Sequence, residues 1–258
     1  MIEVPSRRAP GTPCWASLMA QHADRAQEFY GALLGWEFVP GPQQLGRYVL
    51  AEYDGQRIAA IGEGAAEPNR PVSWTTMLAV DDVDHAADLV REYGGTVGIG
   101  PLDAGDDGRL AIAIDPSGAV FGIWQGGGQP GADLTGVSGT VAWNELLTRE
   151  SSVVTKFYQA VFGFGTEPSE GGEADRVLLT VGGRPMAGIH GVGRNLSREH
   201  GAHWITYFEV GDTVEVTARA RELGGDVLEL PHDSPFGLIA TLSDPEGAVF
   251  AVISSTAR

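Results

Sequence analysis

The segments Gln27-Glu28-Phe29-Tyr30-Gly31-Ala32-Leu33-Leu34-Gly35-Trp36 and Thr155-Lys156-Phe157-Tyr158-Gln159-Ala160-Val161-Phe162-Gly163-Phe164 are one helix-like phrase written twice, 128 positions apart. Two more blocks repeat in the same order. Trp74 to Val80 followed by Val83 to Gly95 answers to Trp204 to Val210 followed by Val214 to Gly225, at an offset of 130 to 131. Asp115-Pro116-Ser117-Gly118-Ala119-Val120-Phe121 returns as Asp244-Pro245-Glu246-Gly247-Ala248-Val249-Phe250, at an offset of 129. Three collinear blocks at nearly constant spacing indicate a duplicated domain rather than a solenoid of many repeats. Gln125-Gly126-Gly127-Gly128-Gln129-Pro130-Gly131 disfavours both helix and central strand and lies between the copies. The expected division is residues 1–125 as the first domain, 126–136 as a Gly/Pro-rich linker and 137–258 as the second domain.

Each copy has the rhythm strand, helix, short strands, repeated once. In the first copy, Trp15 to Ala20 reads as a short apolar strand leading into the amphipathic stretch that ends at Gly35. Arg47 to Tyr53 and Arg57 to Ile61 read as a hairpin turned at Asp54-Gly55. Thr75 to Val80 feeds a second helix from Val83 to Tyr93, stopped by Gly94-Gly95, where positive φ carries little cost. Arg109 to Ile114 and Ala119 to Gln125 form a last hairpin around Asp115-Pro116-Ser117-Gly118. The whole chain is therefore four βαβββ modules, an α+β architecture, with no glycine-rich phosphate loop and no doubly wound pattern.

Composition removes several function classes. The net charge of −17 opposes nucleic acid and anionic membranes, and the basic residues are scattered and, apart from Lys156, all arginine. No apolar run approaches the roughly 18 to 20 residues that span a bilayer, and Met1-Ile2-Glu3-Val4-Pro5 lacks a targeting pattern, so a cytoplasmic protein is expected. Cys14 is the only cysteine, which excludes intrachain disulfides and Cys-based metal centres. It is expected to be a buried or rim thiol.

Phe-Tyr before Leu-Gly or Phe-Gly on the first helix, Val80-Asp81-Asp82-Val83 before the second and Asp-Pro-x-Gly near the end of each copy resemble the vicinal oxygen chelate superfamily. That superfamily includes glyoxalases, bleomycin-resistance proteins and extradiol dioxygenases. The resemblance covers nearly the full length. It implies two tandem domains, each a pair of βαβββ modules forming an open, cup-shaped mixed sheet with the helices outside. It also implies a divalent metal held on the concave face by a His fourteen residues before the helix Phe, a second ligand five residues before the Val that opens Val-Asp-Asp-Val, a Glu seven residues after the Asp of Asp-Pro-x-Gly, and a fourth on a hairpin strand. In this chain those places hold Trp15 and Trp143, then Thr75 and Ile205, then Gly122 and Ala251. In the hairpin strands Arg57 to Gly62 and Pro185 to His190, only His190 could coordinate. Indole, methyl and hydrogen side chains offer no donor to a divalent cation, so no metal cofactor is expected in either copy.

Strand alternation then places Trp15, Ser17, Thr75, Met77 and Trp124 in a mostly apolar first cup, and Trp143, Glu145, Tyr207 and Glu209 in a second cup that contains carboxylates. The tryptophans either stack on a flat ligand or plug the cup. Glu145 and Glu209 are either an acid/base pair or a buried ion pair to Arg184 or Arg149, and His190 is a candidate proton shuttle or lone metal ligand. His200 and His203 read as a solvated pair in a loop. The expected function is metal-free binding of a hydrophobic, aromatic small molecule for sequestration or resistance, by a monomer or homodimer. The alternative is a metal-independent or atypically metallated enzyme (an isomerase, lyase or hydroxylase type) acting on a natural-product intermediate through Glu145, Glu209 and His190. A closed module serving only as a partner surface is a third possibility.

Overall fold

The structure is a computed structural model that describes residues 7–64, 72–169, 175–196, 198 and 201–256. The first copy runs β1 (Pro13–Ala20), α1 (Ala23–Leu34), β2 (Glu37–Pro40), β3 (Tyr48–Tyr53), β4 (Gln56–Glu63), β5 (Trp74–Ala79), α2 (Val83–Glu92), β6 (Thr96–Asp103), β7 (Gly108–Ile114) and β8 (Val120–Gly126). The second runs β9 (Val141–Thr148), α3 (Ser151–Phe162), β10 (Gly165–Pro168), β11 (Arg176–Val181), β12 (Arg184–Gly191), β13 (His203–Glu209), α4 (Thr213–Glu222), β14 (Asp226–Ser234), β15 (Gly237–Ser243) and β16 (Val249–Ser255). Two open mixed sheets result, ordered β2-β3-β4-β1-β5-β8-β7-β6 and β10-β11-β12-β9-β13-β16-β15-β14.

The punctuation residues act as their chemistry requires. Asp54 and Gly55 both have positive φ, and Tyr53 pairs with Gln56 across them, the two-residue turn that suits twisted strands. Gly35 and Gly163 end α1 and α3 in the left-handed region, each returning its N–H to the helix. The Asp82 side chain accepts from the N–H groups of Asp84 and His85 and so caps α2, and Asp212 caps α4 in the same way. Asp81, Asp82 and Asp84 thus stand at a helix start. The 126–136 stretch is hydrogen-bonded: Gly127 and Gln129 donate to the Asp107 carbonyl, and Asp133 exchanges bonds with the Arg57 backbone.

Contacts divide the chain into two compact units that do not coincide with the two copies. One consists of Met1–Trp15, Thr75–Gly131 and Asn144–Trp204; the other of Ala16–Trp74, Ala132–Trp143 and Ile205–Arg258. The cores follow this division. Leu78, Val83, Val90 and Phe121 of the first copy pack with Leu146, Phe157, Tyr158 and Phe162 of the second. In the other unit Phe29, Tyr30, Leu33 and Trp36 pack with Phe208, Leu242 and Phe250.

The repeated motifs hold these cores together. In the first unit the Trp204 indole donates to the Tyr158 hydroxyl (2.9 Å), which donates to Asp115 Oδ2 (3.0 Å). In the second, Trp74 donates to Tyr30 (2.8 Å) and Tyr30 to Asp244 Oδ2 (3.2 Å). The other oxygen of each aspartate accepts from its own turn: Ser117 and Ala119 for Asp115, Glu246 and Ala248 for Asp244. Each Tyr of one copy therefore locks onto the Asp-Pro-x-Gly turn of the other. Burial pushes both aspartates above the usual carboxylate range, against the hydrogen bonds that hold them down.

Candidate functional site

Along β1, Ala16, Leu18 and Ala20 enter the core beneath the helices, which leaves Trp15, Ser17 and Met19 on the face turned away from them. Leu146 on β9 does the same, leaving Trp143, Glu145 and Leu147 on the helix-free face. The candidate sites lie on these faces.

In the first unit, β5 to β8 present an apolar surface. Register pairs Met77 with Gly122, Ala79 with Trp124, Leu110 with Trp124, Ile112 with Gly122, Ile114 with Val120, Ile99 with Ile112 and Leu102 with Leu110, so all share one face. Thr75, Met77 and Trp124 are buried at its base. Ile99 (40% exposed), Leu102 (43%), Ile114 (36%) and Val120 (38%) remain open to water. The Met77 sulfur occupies the space that a side chain at position 122 would need. The Trp124 indole is turned to donate to the Gln129 carbonyl at 2.9 Å.

The same unit carries Glu145 on β9. Its carboxylate is buried and receives a two-point fork from Arg176, Nε to Oε1 at 2.7 Å and Nη2 to Oε2 at 2.8 Å. The guanidinium is thus that of Arg176 on β11, a correction to the expected Arg184 or Arg149. Arg176 comes from a strand two over, brought into reach by register: Glu145 lies beside Gly188 on β12, and Arg176 faces His190. Gly188 makes the room, since a Cβ there would stand 2.8 Å from Glu145 Oε1. His190 is half-buried, on the same face as Glu145 and Arg176.

In the second unit, Ser17 Oγ and Tyr48 OH lie 3.2 Å apart, at the positions that Glu145 and Arg176 hold 128 residues later. A hydroxyl pair in one copy thus replaces an ion pair in the other. On β13, Ile205 is buried, Tyr207 half-buried and Glu209 tied to Ser255, whose N–H and Oγ–H donate to its two oxygens at 2.9 and 2.6 Å. The face continues through Ala251 and Thr241, the latter bonded to Glu229, so it is more polar than that of β5 to β8.

The sites implied for a metal do not fit one. Trp15, Thr75 and Gly122 stand on the first sheet and Trp143, Ile205 and Ala251 on the second, and none supplies a donor suited to a divalent cation except the hydroxyl of Thr75. Among the described residues, no three His, Cys, Asp or Glu side chains gather into a metal-binding group. Cys14 is buried, its Sγ donating to the Met77 carbonyl at 3.5 Å, and burial pushes the thiol up to about 12. His203 Nδ1 lies 2.8 Å from the Gly201 carbonyl, while His200 lies outside the described residues. No helix among the described residues is long and apolar enough to cross a membrane.

Sequence reading missed Tyr48 and Arg176, because pairing across three strands leaves no local trace. The open apolar face was signalled by the period-two run Leu110, Ile112, Ile114, whose exposure only the fold reveals.

Paired βαβββ modules in two open eight-stranded mixed sheets, with motifs at fixed places, define a tandem α+β protein of the glyoxalase type. The chain belongs to the glyoxalase/bleomycin resistance protein/dioxygenase superfamily, which it matches over residues 14–123, with a glyoxalase-like domain over residues 144–253. It is 39% identical to "Putative glyoxylase CFP32" of Mycobacterium tuberculosis (strain CDC 1551 / Oshkosh), over 94% of this chain and 94% of that protein. It is 35% identical to the anthracycline biosynthesis protein DnrV of Streptomyces peucetius, over 96% of this chain and 94% of the relative. In fold it is similar to the 2,3-dioxygenase LapB of Pseudomonas sp. KL28, with a TM-score of 0.63 and 17% identity over 97% of this chain and 94% of that one. The Mn(II)-bound glyoxalase of Novosphingobium aromaticivorans gives a TM-score of 0.62 at 18% identity, over 96% of this chain and 83% of that one.

Proposed function

We propose that this chain binds a hydrophobic, aromatic small molecule on its Trp-bearing sheet faces, without the metal typical of its superfamily, for sequestration or resistance. The observation that carries the reading is the apolar face of β5 to β8, where Ile99, Leu102, Ile114 and Val120 stay open to water above buried Met77 and Trp124. At roughly 25 cal/mol per Å² of apolar surface removed from water, a fused-ring ligand lying across that face gains several kcal/mol. The donor-poor residues at the implied metal positions, and a relative named for anthracycline biosynthesis, support the same reading. The acid/base alternative draws on Glu145, His190 and Glu209, but the Glu145 carboxylate is engaged by Arg176 and the Glu209 carboxylate by Ser255.

The test is equilibrium dialysis of the chelator-treated full chain against fluorene, with molar mass followed by light scattering. Saturable binding to monomer or dimer is expected, with binding on the β5 to β8 face weakened at least tenfold by Ile114→Asp and little change in melting temperature. Absence of saturable binding, binding that needs an added divalent cation, or a dimer that Ile114→Asp merely dissociates would each defeat the reading.

A further inference from the structure

Of the six tryptophans, four donate their indole N–H within the fold: Trp36 to the Gly139 carbonyl (2.6 Å), Trp74 to Tyr30, Trp124 to the Gln129 carbonyl and Trp204 to Tyr158. All four are buried. Trp15 and Trp143 differ. They are half-buried, stand 128 positions apart at matching places on β1 and β9, and alternation puts both on the helix-free face. Neither indole makes a hydrogen bond or ring contact with any described residue, and neither N–H is a buried donor without a partner.

An indole N–H open to water is satisfied by water, but a ligand that covers the ring removes that water. A plain hydrocarbon would strand the donor, whereas a ligand with an oxygen beside its ring would accept from it. Resting on the aromatic-binding reading above, we propose that Trp15 and Trp143 are hydrogen-bond donors to ligand, and that the chain selects planar aromatic compounds bearing a ketone or quinone oxygen. The donor stands at the place implied for a metal ligand, so a neutral N–H takes over contact with the ligand oxygen. The two copies supply two such positions, one in each unit, with different surroundings: apolar β5 to β8 for Trp15, and the more polar β13 to β16 for Trp143.

The probes are 9-fluorenone and fluorene, which share a fused three-ring frame and differ at one carbon, C=O against CH2. Equilibrium dialysis of the full chain should show fluorenone bound about tenfold more tightly than fluorene, the size expected when a desolvated donor gains its acceptor. Trp15→Phe with Trp143→Phe should erase that preference while fluorene still binds. In the unsubstituted, 15N-labelled chain, fluorenone should move two of the six indole N–H signals downfield, those lost in the two variants, and fluorene should not. Equal binding of the two probes, or downfield shifts confined to the other four indoles, overturns this inference and leaves aromatic binding standing. Failure of both probes to bind removes the aromatic-binding reading and this inference with it.

Discussion

Replacing Tyr158 with Phe keeps the ring in the core and deletes only the hydroxyl that links Trp204 to Asp115. The buried indole of Trp204 loses its acceptor, at about 1–3 kcal/mol, and the Asp115 carboxylate loses a donor, at about 1.5–3 kcal/mol. Allowing for relaxation, the expected loss at pH 7 is about 3–5 kcal/mol. The loss also depends on pH, through Asp115. Burial raises Asp115 above its usual range, so the folded chain holds that proton more tightly than the unfolded chain does. Asp115 therefore lowers stability as pH rises from the unfolded carboxylate value through the folded one, and its full cost is present above the folded value. The Tyr158 hydroxyl is one of the groups holding that value down, so its removal widens the window and enlarges the cost at neutral pH. The loss should be larger at pH 7 than at pH 4, where Asp115 is increasingly protonated in both proteins. Urea denaturation at the two pH values measures it, and hydrogen exchange should place the weakening in the unit containing Tyr158. A loss below about 1 kcal/mol at pH 7, or the same loss at both, would refute the network's role.

Gly122→Ala puts a methyl where the Met77 sulfur lies, and should cost about 1–3 kcal/mol by overpacking; adding Met77→Ala should recover part of the melting temperature, and no recovery would contradict the packing. Arg176→Met leaves the Glu145 carboxylate buried without its fork, at about 3–5 kcal/mol, and Glu145→Gln in that background should restore stability in urea titrations. Because each core draws on both copies, residues 1–131 expressed alone should not form a folded monomer and should associate with 132–258 on mixing. A monomeric, cooperatively melting 1–131 fragment in light scattering and calorimetry would count against this.

Much of the architecture is local and was legible in the residues. Period-two and period-3.6 patterns mark the strands and helices, Asp54-Gly55 and Gly35 mark a turn and a helix end, and the repeat announces the duplication. The side chains that stand at the implied metal positions were legible too, since they are a matter of residue identity at matching places. The partners were not. The two copies carry the same motifs at matching places, so periodicity cannot say whether Tyr30 packs toward Asp115 or Asp244; the fold chooses Asp244. Likewise Arg176 reaches Glu145 through strand register, a relation between segments 31 residues apart that no short window contains. The exposure of Ile99, Leu102, Ile114 and Val120 belongs to the same class, because openness to water depends on what other segments cover. Sequence determined the elements and the chemistry available at each position, through local backbone preference and side-chain identity. Tertiary structure decided which halves share a core, which charges meet and which apolar face stays open, because these depend on contacts between distant segments.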